Sequence, residues 1–114
     1  NRLKKSIINK KFIDRIFNKN EVIRCNKQVN KVNCYSKRFA AKEAFVKALG
    51  TGISKGINFN EIIVYNVKSG KPSIRLIGNT KKKVKEIFKN KKFNIFLSLS
   101  DDKPFAIATA IISL

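Results

Sequence analysis

The sequence predicts an α+β domain in which a largely antiparallel sheet packs against helices. Three observations predict it. Helical patterning fills the first half of the chain, up to Gly52. Two strand–turn–strand patterns follow, with one further helix between them. The 114 residues, 43% of them apolar and nine of them Phe, suit a single domain over 1–114 with a real core.

Residues 2–17 carry the pattern of one amphipathic helix or two. Leu3, Ile7, Ile8, Phe12, Ile13, Ile16 and Phe17 supply the apolar side, and Arg2, Lys4, Lys5, Lys10, Lys11 and Arg15 the charge. That basic side reads either as a solvated face or as a docking face for an acidic helix or a phosphate backbone. Asn18 with Glu21 three residues on resembles a capping box, which starts a short helix toward Gln28. Residues 26–34 (NKQVNKVNC) are polar and weakly periodic, and are expected as a loop or frayed turn.

The next helix is the organising element. Ser36 is a candidate cap, Gly50 a candidate end, and Arg38–Gly52 reads RFAAKEAFVKALGTG. At helical spacing Phe39, Ala40, Ala41, Ala44, Phe45, Val46, Ala48 and Leu49 spread round the cylinder, the mark of a buried helix. Glu43 and Lys47 sit one turn apart on a stripe of it. Charges are rarely buried unless paired or used. A Glu–Lys pair in this order contributes only about 0.2–0.5 kcal/mol as a surface salt bridge. On an apolar helix the same carboxylate can hold a hard divalent cation, since oxygen ligands suit magnesium. The lysine, next to glycines whose amides can approach a phosphate, suits an anion. Gly50 and Gly52 equally read as a helix C-cap.

After a turn-like stretch to Asn58, Phe59 and the β-branched run Ile62–Val67 read as a strand. Lys68–Pro72 (KSGKP) is a hairpin loop and Ile74–Ile77 the returning strand. Asn79 or Thr80 starts a basic helix to about Lys91, with Val84, Ile87 and Phe88 toward the core. In the last hairpin Phe93, Ile95, Leu97 and Leu99 alternate with Asn94, Phe96, Ser98 and Ser100. DDKP turns the chain, and Phe105–Ser113 returns with Ala106, Ala108 and Ala110 on one side.

Composition narrows the chemistry. There is no His, so Ser-His and Cys-His nucleophilic catalysis are excluded, and a Cys/His zinc site has too few ligands. Cys25 and Cys34, without a signal-peptide pattern, are expected to be reduced cytosolic thiols that fill the core. No apolar run approaches the roughly 20 residues needed to span a bilayer. A formal charge of +19, from 26 Lys plus Arg against 7 acids, implies a polyanionic partner: nucleic acid, membrane, a phosphorylated cofactor or an acidic protein. The abundance of Lys, Asn and Ile also matches A/T-rich coding, so charge alone names no partner.

The stretch RFAAKEAFVKALGTGI closely resembles the signature of 4′-phosphopantetheinyl transferases of the holo-acyl-carrier-protein synthase type. GINFNEIIVYNVKSGKPSIRL is similar to the strand and Gly-Lys-Pro loop that follow it in that family. IFLSLSDDKPFAIATAII resembles the family's terminal hairpin, and KKFIDRIFNKNEV its segment after the first helix. The resemblance implies the transferase fold, a homotrimer and a cytoplasmic enzyme supporting fatty acid biosynthesis. Its implied activity moves the phosphopantetheine arm of coenzyme A to a serine of apo-acyl carrier protein, with Mg²⁺, releasing adenosine 3′,5′-bisphosphate. By position Glu43 would be the metal ligand and would help activate the serine, directly or through water. Lys47 would neutralise the pyrophosphate. Gly50, Thr51, Gly52, Gly70, Lys71, Pro72 and Ser98 would line the coenzyme A site. Arg2, Lys11 and Arg15, with Phe12 as an apolar anchor, would hold the acidic carrier.

The pattern departs from the family twice. The family opens with a strand ending in a Gly-x-Asp motif whose Asp is a second metal ligand. Here either a short segment precedes Asn1, or the metal site lacks that ligand. Phe96 and Asp101 stand where the family usually has His, with Ser98 retained between them. Two other readings remain, a basic nucleic-acid-binding module and a catalytically impaired relative. No RNP, KH or helix-turn-helix pattern supports the first.

Overall fold

The computed structural model of the chain describes residues 9–50, 56–102 and 105–114, with side chains for all of these but 101, 102 and 105. Three helices come first: α1 (Lys10–Ile16), α2 (Lys19–Asn26) and α3 (Lys31–Leu49). A 3-10 turn (Phe59–Glu61) leads into the hairpin β1 (Ile62–Asn66) and β2 (Pro72–Leu76). Helix α4 (Gly78–Ile87) and the hairpin β3 (Asn94–Asp102) and β4 (Phe105–Ser113) complete the chain. Both hairpins are antiparallel, as the alternating patterns predict. Among the described residues no helix is long and apolar enough to cross a membrane.

Helix α1 is capped by Asn9, whose side chain accepts from Lys11 N at 2.9 Å; the start of the predicted N-terminal helical stretch, 2–8, lies outside the described residues. The Asn18–Glu21 capping box forms as expected and opens α2. The start of α3 differs from expectation. It begins at Lys31, not near Ser36, with Asn30 accepting from Asn33 N at 3.0 Å. Of the segment expected as a loop, 27–30 do form a turn, but 31–34 are the first turn of this helix. Weak periodicity hid it, because this turn is held by its cap and by a covalent tie. Cys25 and Cys34 are joined in a disulfide with their Cα atoms 5.4 Å apart, linking α2 to α3. The expectation of two reduced thiols is thereby corrected, although both cysteines do lie buried as core fillers.

Two apolar clusters organise the fold. The larger joins Ala41, Phe45, Val46 and Leu49 of α3 to Ile62, Val64 and Ile74 of the first hairpin, Val84 of α4 and Leu97 of β3. The inward faces of β3 and β4 meet it through Ile95, Leu99, Ala108, Ala110 and Ile112, so alternation along the strands decides which residues reach the core. The smaller gathers Phe17, Cys25, Cys34 and Tyr35 with Phe12, Ile13, Ile16 and Phe39 between the first three helices. Burial raises the Tyr35 phenol above its ordinary pKa, with the nearby Asp14 and Glu21 charges adding to it.

Helix α4 begins one residue before its predicted start, and its first turn is capped from a distance. Its N-cap, Ile77, has no capping side chain, and the Glu61 carboxylate takes over that role. It accepts from Thr80 N at 3.1 Å, Thr80 Oγ1 at 2.8 Å and Asn79 N at 3.3 Å. Gly78 (φ +61°) permits this, since a Cβ there would overlap Glu61 Oε2.

Candidate active site

Helix α3 carries most of the predicted chemistry, and its faces are not arranged as its composition suggests. The buried stripe contains Cys34, Tyr35, Arg38, Ala41, Lys42, Phe45, Val46 and Leu49. Glu43 and Lys47 lie on the exposed side with Ala48 and Gly50. The expected conflict of two charges on a wholly buried helix is thus corrected: the helix has a solvent face, and these two share it. No ion pair joins Glu43 to Lys47 among the described residues, so the surface salt bridge is absent there. Both side chains are available to a ligand.

Gly50 ends the helix as predicted, in the left-handed region at φ +76°, where glycine costs least. Its N–H donates to Lys47 O at 3.0 Å, so that amide serves the cap and not an anion. Among the described residues nothing lies within 4 Å of a Cβ placed there, leaving open space beside the Lys47 turn. Thr51 and Gly52 lie outside the described residues.

The buried charges are others. Lys42 Nζ donates to Glu21 Oε1, Phe59 O and Ile62 O at 2.7, 2.7 and 2.6 Å. It also stands 5.3 Å from the centre of the Phe17 ring. Burial pushes its pKa below the ordinary lysine value, against the opposing pull of Glu21. Arg38 donates to Cys34 Sγ at 3.4 Å and to Asn66 Oδ1 at 3.3 Å. Burial lowers its pKa, Glu21 raises it and Arg24 lowers it again.

A cleft of ≈ 400 Å³ opens where Arg38 meets the first hairpin, and Arg24, Lys37, Asn66, Gly70 and Pro72 help to line it. Two residues of the predicted coenzyme site, Gly70 and Pro72, are thereby brought together. Lys71, between them, lies along a neighbouring groove with Val67, Ser73 and Phe96. Ser98 is exposed on the outward face of β3, between Phe96 and Ser100. Glu43 and Lys47 do not line the cleft. Within one chain the predicted catalytic pair and the glycine-lysine-proline loop therefore stand as separate parts.

Lys11 and Arg15 are exposed one turn apart on α1, with Phe12 turned partly inward against Phe39 at a ring distance of 6.1 Å. Phe12 is thus partly committed to the helical core. Arg2 lies outside the described residues, as does the Asp101 side chain.

Sequence reasoning missed Arg24, Lys37, Arg38 and Asn66 as cleft residues. The only local signal was Arg38 at the head of the central helix. The others come from a different helix face and from a strand end, which spacing along the chain does not connect.

Among the described residues no three carboxylate, cysteine or histidine side chains gather. Glu43 by itself still suits magnesium, which keeps several waters and takes one or two carboxylates together with substrate phosphates.

Residues 2–110 match the sequence pattern of the 4′-phosphopantetheinyl transferase superfamily. The holo-[acyl-carrier-protein] synthase of Pelagibacter ubique (strain HTCC1062) is 49% identical over 111 residues, covering 97% of this chain and 87% of the relative. The backbone is similar to the crystal structure of holo-[acyl-carrier-protein] synthase from Neisseria meningitidis, with a TM-score of 0.82 at 31% identity, covering 98% of this chain and 90% of that one. It is similar too to the Helicobacter pylori synthase in complex with coenzyme A, with a TM-score of 0.77 at 29% identity over 98% of this chain and 91% of that one. With its sequence pattern, its relatives and its backbone in agreement over almost all its length, the chain belongs to the 4′-phosphopantetheinyl transferase superfamily.

Proposed function

We propose that this chain, acting as a single domain over 1–114, is a holo-acyl-carrier-protein synthase. It transfers the phosphopantetheine arm of coenzyme A to a serine of an apo-acyl carrier protein. The observation that carries this reading is the exposed pair Glu43 and Lys47, unpaired with each other and set beside the open cap at Gly50.

In the reaction the serine oxygen bonds to the phosphorus that bears the pantetheine arm. The bond from that phosphorus to the bridging oxygen breaks, and adenosine 3′,5′-bisphosphate leaves with the electron pair. Glu43 takes the serine proton, or orients the water that does. Lys47 sets its ammonium against the charge gathering on the leaving phosphate. Such transfers depend mainly on positioning and charge stabilisation, so the chain needs no histidine. Glu43 would also hold Mg²⁺, which supplies further charge neutralisation at the pyrophosphate. The basic cleft of Arg24, Lys37 and Arg38, with Gly70 and Pro72, supports a place for the coenzyme's phosphates.

The separation of that cleft from Glu43 is resolved if sites form between subunits of a homotrimer. An outward apolar face on the second hairpin supports this: Phe96, Ile107 and Ile111 are 49%, 46% and 58% exposed, with Phe96 directly across from Ile111. Lys11 and Arg15 would meet the acidic carrier, in a cytoplasmic enzyme serving fatty acid biosynthesis.

The test is to incubate the protein with coenzyme A, Mg²⁺ and an apo carrier and to weigh the carrier by mass spectrometry. The added phosphopantetheine mass is expected. Its absence, with Mg²⁺ and carrier in excess, would sink the reading.

A further inference from the structure

One side chain ties the Gly70–Pro72 loop to α3. Asn66, the last residue of β1, donates through Nδ2 to Gly70 O at 2.9 Å. Through Oδ1 it accepts from Arg38 Nη2 at 3.3 Å. Arg38 donates in turn through Nη1 to Cys34 Sγ at 3.4 Å. A continuous chain of polar contacts thus runs from the first turn of α3 to the loop, and all four residues line the cleft.

The residue type at 66 suits this task. A carboxamide places a donor and an acceptor at the end of one short side chain, so it can serve a cation and a carbonyl at once. A carboxylate could take the Arg38 contact but would present a second acceptor to Gly70 O. The strand brings the amide to the right place. Ile62, Val64 and Asn66 alternate onto one face of β1, the first two buried in the core and the third half-buried where the strand leaves it.

The loop is otherwise held by its own hairpin. Val67 N donates to Lys71 O at 2.9 Å and Gly70 N to Val67 O at 2.8 Å. Gly70 has φ +91° and, among the described residues, nothing within 4 Å of a Cβ, so their packing does not pin it. Arg38 is only 5% exposed, and its Nε has no partner among the described residues. A buried donor left without a partner is costly, and an anion entering the cleft is one way to satisfy it.

We propose that Asn66 is a positioning residue for coenzyme A, holding Arg38 and the Gly70–Pro72 loop together so that both walls of the cleft meet the anionic substrate at once. This rests on the transferase reading above. Asn66 touches neither Glu43 nor Lys47 by any hydrogen bond among the described residues, so its effect falls on coenzyme binding and not on the chemical step.

The test compares the wild-type chain with Asn66→Ala and Asn66→Asp in the transfer assay, and by calorimetric titration of coenzyme A without carrier. In Asn66→Ala the KM for coenzyme A is expected to rise about tenfold, with kcat and the carrier KM within about twofold. The calorimetric Kd should weaken by the same factor, and the unfolding midpoint should stay near wild type. Asn66→Asp should show a similar loss, because it keeps the Arg38 contact and loses the donor to Gly70. An unchanged coenzyme KM in Asn66→Ala, an equal rise in both KM values, or full recovery in Asn66→Asp would each overturn the proposal. If no chain transfers phosphopantetheine but the tenfold loss in Kd is seen, the transferase reading fails and the positioning role stands. If the wild-type chain does not bind coenzyme A at all, both fail.

Discussion

Nζ of Lys42 lies 2.7 Å from Oε1 of Glu21, with the two side chains 0% and 1% exposed. Each is fully used. Lys42 spends its three donors on Glu21, Phe59 O and Ile62 O, while Glu21 also accepts from Asn18 N at 3.0 Å and Val64 N at 3.1 Å. The pair therefore joins α2, α3, the 3-10 turn and β1. It also sets the rotation of α3. With Lys42 locked inward, the next residue turns about 100° round the helix and Glu43 faces out.

Removing one partner strands the other as a buried charge. Lys42→Met is expected to lower the unfolding free energy by about 3–5 kcal/mol in urea titrations. A loss under about 1 kcal/mol, the size of an exposed pair, would show that the pair does not anchor these elements.

Glu61 predicts an acid limb. Burial raises its pKa, but the hydrogen bonds from Asn58, from Thr80 side chain and backbone, and from Asn79 N outweigh this and hold it below the ordinary 4.5. Between the lowered value and 4.5 the unfolded chain binds more protons than the folded one. The stabilisation is thus complete above 4.5 and is lost as pH falls through the folded value. The stability difference between wild type and Glu61→Gln should be largest near neutral pH and shrink under acid, as read from unfolding midpoints across a pH series. A difference that does not change with pH would refute the cap's electrostatic part.

The Cys25–Cys34 bridge predicts a mass and a stability. Alkylation of the unfolded, unreduced chain should add no label, and alkylation after reduction should add one to each cysteine. Reduction should cost roughly 2–3 kcal/mol of unfolding free energy, the scale for closing so short a loop. Labelling of both cysteines without reductant would show that the bridge does not form in solution.

Glu43→Gln tests the proposed catalytic face. The side chain is exposed and holds no structural hydrogen bond among the described residues, so stability should change by less than about 0.5 kcal/mol. Phosphopantetheine transfer should be abolished, because the amide can neither hold Mg²⁺ well nor take a proton. Turnover equal to wild type would remove Glu43 from the site.

Residues that act through local geometry were readable in the chain. The Asn18–Glu21 box, the alternation of β3 and β4 and the glycine at the end of α3 each depend on neighbours a few positions away. The start of α3 was not readable, because Asn30 and the bridge hold it and apolar spacing does not. Nor was its buried side. Lys42 and Arg38 occupy positions where apolar residues are expected, while Ala48 lies outside, so helical periodicity is blurred on both faces.

By itself, then, the sequence determined the α+β order, the two hairpins and the family signature around Glu43 and Lys47. Tertiary structure alone decided that Glu21 is both a cap and the partner of Lys42, and that Glu61 caps a helix beginning beyond the β1–β2 hairpin. It also brought Arg38, Asn66 and Gly70 together at one cleft. The reason is physical. A cap or a pleat is satisfied within one turn or one strand, but a buried charge must find its partners wherever packing places them.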